Sequence, residues 1–207
     1  MSTKSTEPVD LFKGLQKIKS LLFVISGPSA AGKDTVIEAI KKRNLGFAFV
    51  TTATSRKPRN YEKNGIDYFF YTKEDFEAMI REGKFVEYAL VYGDYKGVPV
   101  DQIERALCSH CDVLLRVDVA GAATLRSKYP DAVLIFLVPA NEQEWMSRFK
   151  MRNTETPESL AIRRKTAGHE LEQLGRFDYL LVNKEGKLDD TVDTILDIIK
   201  IEHNRVK

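Results

Sequence analysis

The stretch that most constrains this chain runs from Leu21 to Arg43. Leu21-Leu22-Phe23-Val24-Ile25 is a continuous apolar run, β-branched and aromatic enough for a strand buried on both faces. Gly27-Pro28-Ser29-Ala30-Ala31-Gly32-Lys33 follows, and then Thr35 to Arg43, with Val36, Ile37 and Ile40 at helical spacing. Strand, glycine-bounded loop, lysine and helix together make a phosphate cradle. Backbone N–H groups and the positive end of the helix dipole face the anion, and Lys33 adds a point charge. Two glycines and a lysine alone are weak evidence; between a strand and a helix they are strong. The plainer alternative is an ordinary strand-to-helix turn with a solvated lysine. Such a loop usually places a serine or threonine hydroxyl after the lysine for Mg²⁺, but here Asp34 stands there, ahead of Thr35.

The 207 residues suffice for one sizeable core with inserted units. The 32 basic and 30 acidic side chains leave a formal net charge of +2, which argues against a general binder of nucleic acid or membrane surfaces. A local arginine cluster can still take a small anion. No apolar run approaches the roughly 20 residues of a membrane span, and the polar residues 1–10 lack the apolar stretch of a secretion signal. Residues 1–20 read as a tail and lead-in. Cys108 and Cys111 frame Ser109 and His110 in a spacing that suits a redox pair or half a zinc site. With no second Cys/His pair nearby, two reduced thiols in a reducing cytosol is the preferred reading.

Along the chain, strands are expected at residues 47–50, 67–71, 85–92, 113–117, 132–138 and 179–182. Helices are expected at 73–82, 99–107, 118–129, 142–151, 158–174 and 188–202. Gly93-Asp94-Tyr95-Lys96-Gly97 reads as a turn, and Thr51 to Gly65 as loop chemistry holding Arg56 and Arg59 three residues apart. The alternation predicts an α/β fold with a central, mainly parallel sheet flanked by helices. Residues 51–104 read as a mixed α/β unit inserted into a core made of 21–50, 105–140 and 171–207.

Thr51-Thr52-Ala53-Thr54-Ser55-Arg56-Lys57-Pro58-Arg59, then Gly65-Ile66-Asp67-Tyr68, then Phe85-Val86-Glu87-Tyr88, resemble the nucleotide-monophosphate domain of guanylate kinases. The resemblance continues through Thr154-Glu155-Thr156 and Val182-Asn183, covers roughly residues 21 to 202, and keeps the family's motif order. It implies a P-loop kinase with a GMP-binding subdomain and a helical lid at 141–170. It also implies ATP and GMP as substrates, Mg²⁺ as the cofactor, and phosphorylation of GMP, and of dGMP as well, to the diphosphate. By the resemblance, the loop Gly27 to Gly32 with Lys33, Asp34 and Thr35 holds ATP, and Asn183 contacts its adenine. Arg56, Arg59 and Tyr68 hold the GMP phosphate, joined by Lys96 where a tyrosine is common. Thr52, Glu87 and Asp118 meet the base, and Arg148, Arg152 and Arg163 swing onto the transferring phosphates.

The chemistry of these residue types agrees. Two guanidinium forks suit a phosphate dianion. Guanine presents two adjacent donors that match a carboxylate's two acceptors, whereas adenine would leave a buried acid unpaired, a loss of about 10⁴ in specificity. Phosphoryl transfer relies on cationic clamps and alignment, so the lack of a Ser–His arrangement is expected. Arg116 stands two residues before Asp118 where the family often has an acid, and Asp34 is the expected Mg²⁺ ligand, the two departures being linked. Asp34-Thr35-Val36-Ile37 and Tyr95-Lys96-Gly97-Val98-Pro99 resemble a branch found in plant organelles and some bacteria. A cytoplasmic monomer or homodimer is expected, or a plastid or mitochondrial one if the chain is trimmed. Two rivals remain: a scaffold domain of guanylate-kinase type that binds phosphorylated proteins, and a kinase of a different phosphorylated acceptor.

Overall fold

The computed structural model describes residues 19–206 apart from Tyr92 and residues 153–155, and leaves aside the side chains of residues 150–152 and 157. The N-terminal tail and most of Thr154-Glu155-Thr156 therefore lie outside the described residues.

The central sheet has five strands, β1 (Leu22–Ser26), β2 (Ala48–Phe49), β7 (Val113–Arg116), β8 (Val133–Val138) and β9 (Tyr179–Val182). They run parallel in the order β2-β7-β1-β8-β9. Alternate side chains of β1 serve opposite faces, which is why its sequence is apolar throughout. Phe23 and Ile25 pack with Ile37 and Ile40 of α1 (Lys33–Lys42) and with Val192, Ile195 and Ile199 of α7 (Leu188–His203). Leu22 and Val24 pack with Ile103 and Ala106 of α3 (Val100–Leu107) and with Ala122 and Leu125 of α4 (Val119–Lys128). The sheet is thus a parallel α/β core covered on both faces, as the alternation requires.

β1 lies between β7 and β8, and the chain leaves it on one side and returns on the other. Ligands of open α/β sheets bind beyond the carboxyl ends of the strands at such a reversal. Both Gly27, after β1, and Asp118, after β7, sit at that end.

A second sheet has the order β4-β3-β6-β5, from β3 (Ala53–Thr54), β4 (Phe69–Phe70), β5 (Phe85–Val91) and β6 (Asp94–Pro99). Helix α2 (Lys73–Arg81), capped by Thr72 accepting from the Asp75 N–H, covers one face. Its Phe76 is fully buried, with ring centroids 4.3 Å from Phe85 and 5.3 Å from Tyr95. Here the structure corrects the sequence reading. Residues 94–97 are no turn but belong to β6, a central strand paired with β5 and β3, and only the bend at Gly93 turns. A run with two glycines and no apolar alternation carries little local strand preference. Its ladder bonds come from β3, some 40 residues back, and from β5. The aromatic strand shrinks to Phe69–Phe70, and the supposed loop at 51–65 contributes β3. Helices α5 (Glu142–Arg152) and α6 (Pro157–Glu172) form an arm whose Trp145, Phe149 and Ala167 pack on Ala30 of the phosphate loop.

Candidate active site

The loop after β1 is shaped by its packing as much as by its glycines. Gly32 caps α1 in a left-handed conformation, φ 98°, and a Cβ there would fall 2.2 Å from the amide nitrogen of Asn183. Glycine is therefore required twice over. Trp145 Nε1 donates to the Ser29 carbonyl at 2.7 Å, and Arg148 Nη1 to the Ala31 carbonyl at 2.9 Å. Lys33 folds back, its Nζ donating to the carbonyls of Gly27 at 2.6 Å and Pro28 at 3.0 Å. Burial, reinforced by nearby Lys96, lowers the Lys33 ammonium to about 8. A cation held at a desolvation cost and bonded only to carbonyls is prepared to receive an anion.

Opposite the loop, Arg56 and Arg59 are held together. Arg56 meets Glu62 in a two-point ion pair, 2.6 Å at each contact, and the same carboxylate takes the Arg59 backbone N–H at 2.8 Å. Glu62 offsets the repulsion of two adjacent guanidinium groups. Tyr68 lies under Arg56, 5.1 Å from ring centroid to guanidinium.

Glu87 on β5 is only 7% exposed. Burial, and then the charge of Asp118, push its carboxyl up to about 8. Asp118 caps α4, its Oδ1 accepting from the Gly121 N–H at 2.8 Å. Gly121 makes room for this pair: a Cβ there would stand 2.8 Å from the Glu87 carboxyl carbon. Thr52 is buried beside them, and Lys96, lowered by burial, comes in from β6.

One cleft collects these groups. Gly27, Ser29, Ala30, Gly32, Lys33, Asp34 and Thr35 line one side. Thr52, Arg56, Arg59, Tyr68, Glu87, Lys96 and Asp118 line the other, and Arg163 enters from α6, its Nη1 donating to Ser29 Oγ at 3.1 Å. Other sequence candidates are used differently. Arg148 is turned to the back of the loop, bonded to Ala30, Ala31 and Asn183 carbonyls and paired with Glu144. Asn183 is buried, its Nδ2 donating to the Ala31 carbonyl at 2.9 Å and its Oδ1 accepting from Thr191. Both side chains brace the loop, because carbonyls left bare by its tight curve need donors. Pro28 and Ala31 help shape the loop without lining the cleft. Arg152 ends α5, and its side chain lies outside the described residues. The Asp34 carboxylate is ion-paired with Arg116. Cys108 and Cys111 are free thiols.

Sequence reasoning missed two residues. Glu170 lines the cleft from α6, its carboxyl pushed up to about 7 by burial. Its sign was the spacing: seven residues after Arg163, two turns along the same helix face. Glu62, three residues after Arg59, stands in a polar loop where nothing local marks it as the partner of Arg56 and Arg59.

The guanylate kinase family model matches residues 19–202. The chain is 45% identical over 187 residues to a chloroplastic/mitochondrial guanylate kinase 2 of Oryza sativa subsp. japonica, a span of 90% of this chain and 66% of that protein. It is 40% identical over 185 residues to a guanylate kinase of Bacillus subtilis, covering 89% of this chain and 88% of the relative. The crystal structure of a guanylate kinase from Anaplasma phagocytophilum superposes with a TM-score of 0.72 at 26% identity, covering 92% of this chain and 89% of the other. With the family model matching nearly the whole chain, and relatives this similar along most of their length, the chain belongs to the guanylate kinase family.

Proposed function

We propose that this protein transfers the γ-phosphoryl group of ATP to GMP, with dGMP as a second acceptor, giving ADP and the nucleoside diphosphate. The observation that carries the reading is the single cleft with an amide-and-lysine nest on one side and, on the other, an arginine pair beside a buried acid. Lys33 and the loop amides hold the donor phosphates. Arg56, Arg59, Tyr68 and Lys96 take the acceptor phosphate, and Thr52, Glu87 and Asp118 read guanine. Arg163, already touching the loop, meets the transferring group, while Arg148 and Asn183 keep the loop in shape.

No general base is needed: a nucleotide phosphate with a second pKa of about 6 is mostly dianionic at neutral pH. Among the described residues no three His, Cys, Asp or Glu side chains gather as a metal site. A Mg²⁺ carried in on ATP would take its ligands from the phosphates and water and would supply charge neutralisation there.

Transfer without loss to water requires the cleft to close. The units assigned to 51–104 and 141–170 approach the core when both substrates bind. Solution X-ray scattering should show a smaller radius of gyration with GMP and a non-hydrolysable ATP analogue together than without them; identical curves would end the closure idea.

The functional test is nucleotide-dependent ATP turnover with GMP, dGMP, IMP and AMP. GMP is expected to lead, with AMP lower by about 10⁴ in kcat/KM. A different leading acceptor would favour the rival kinase, and no turnover with any of them the scaffold. Among the described residues no helix is long and apolar enough to cross a membrane.

A further inference from the structure

Arg116 closes β7, and its register partner is Ile25 near the end of β1, so its side chain leaves the sheet at the mouth of the phosphate loop. It is only 10% exposed and meets three separate segments. It is ion-paired with Asp34, the second residue of α1. Its Nη2 donates to the Asp67 carbonyl at 3.1 Å, and its guanidinium lies 4.7 Å from the centroid of the Tyr68 ring. A planar fork with five donors can serve a carboxylate, a carbonyl and a ring face at once, which an ammonium cannot. A cation this buried also needs a counter-charge, and Asp34 supplies it.

We infer that Asp34 and Arg116 work as one unit that ties the phosphate loop to the acceptor loop, with Arg116 positioning Tyr68 for GMP and Asp34 serving as its counter-charge, not as a ligand to Mg²⁺. Removing Asp34 leaves Arg116 unbalanced close to Arg56, which faces the same tyrosine ring. Removing Arg116 frees Tyr68 on one face and strips the Asp67 carbonyl of a donor. Either loss falls on the acceptor, although Asp34 itself belongs to the donor loop.

The inference rests on the phosphotransferase reading, whose own failure shows separately as wild-type protein inert with GMP. The test compares wild type, Asp34→Asn, Arg116→Gln and the double variant in steady-state kinetics, with GMP and Mg²⁺ varied in turn. Each single substitution is expected to raise KM for GMP roughly tenfold, the size of one charge-assisted hydrogen bond. The Mg²⁺ concentration for half-maximal rate should stay put in Asp34→Asn, and the double variant should be no worse than Arg116→Gln, because members of one unit do not add. A shifted Mg²⁺ requirement in Asp34→Asn with KM for GMP unchanged would overturn the inference, as would losses that add in the double variant. Melting curves check folding. If Arg116→Gln does not fold, Arg116→Lys replaces it, keeping the charge but not the fork, and the same KM increase is required of it.

Discussion

Lys33→Met is expected to lower kcat for GMP phosphorylation about 10³-fold, the cost of one preorganised cationic donor at a developing charge, with little change in KM for GMP. The lysine lies on the phosphate-loop side of the cleft, apart from Arg56, Arg59 and Tyr68, the proposed acceptor grip. Its free state adds a second readout. Burial holds the ammonium near 8, so around pH 8 about half the empty protein carries no charge there. ATP phosphates bound beside it would restore that charge. ATP binding at pH 8 should therefore take up a fraction of a proton, seen by calorimetry as a binding enthalpy that depends on the buffer's ionisation enthalpy, and Lys33→Met should lose that dependence. A variant with unimpaired turnover would remove the donor site from this loop.

Glu87→Gln is expected to lower kcat/KM for GMP about 10³- to 10⁴-fold, since an amide presents a donor where guanine presents another donor, and a buried mismatch is not recovered elsewhere. The pH profile gives the mechanism. The free carboxyl, held near 8, is mostly protonated at pH 6.5, yet accepting two guanine N–H groups requires the carboxylate. KM for GMP should fall by up to tenfold per unit as pH rises towards 8 and then level off; in Glu87→Gln this slope should vanish. Stability should move the other way. Because the folded value lies above the unfolded one, the folded protein binds more protons between about 4.5 and 8 and loses stability as pH rises through that window. Glutamine escapes the penalty and should stabilise the free protein at pH 7.5, read by chemical denaturation. A variant that is both less active and more stable separates a role in binding from a role in folding. If activity and stability fell together, the base-reading role would be lost.

Both results have one origin. Glu87, Lys33 and Lys96 are ionisable groups kept in a desolvated cleft, where burial works against their charged forms. That penalty is offset when a substrate of complementary charge and hydrogen bonding arrives. The acceptor arginines have a partner of their own in Glu62, which keeps the pair assembled in the empty state.

The sequence by itself determined the parallel α/β core, the place of the phosphate loop, and most of the residue types that line the cleft. These are legible because their causes are local: apolar runs of period one or two, helical spacing, and glycine next to lysine. Tertiary structure alone decided the rest. β6 exists because β3 and β5 bring it hydrogen bonds from distant segments, which no window of Gly93 to Gly97 contains. Asn183 and Arg148 brace the loop, since only the folded chain shows which carbonyls need donors. Asp34 meets Arg116 across 82 positions, and Glu170 reaches the cleft from the highly charged helix α6. Side-chain chemistry could be read one residue at a time; partnership required the strands to be laid side by side, because burial and charge balance belong to pairs brought together by the fold.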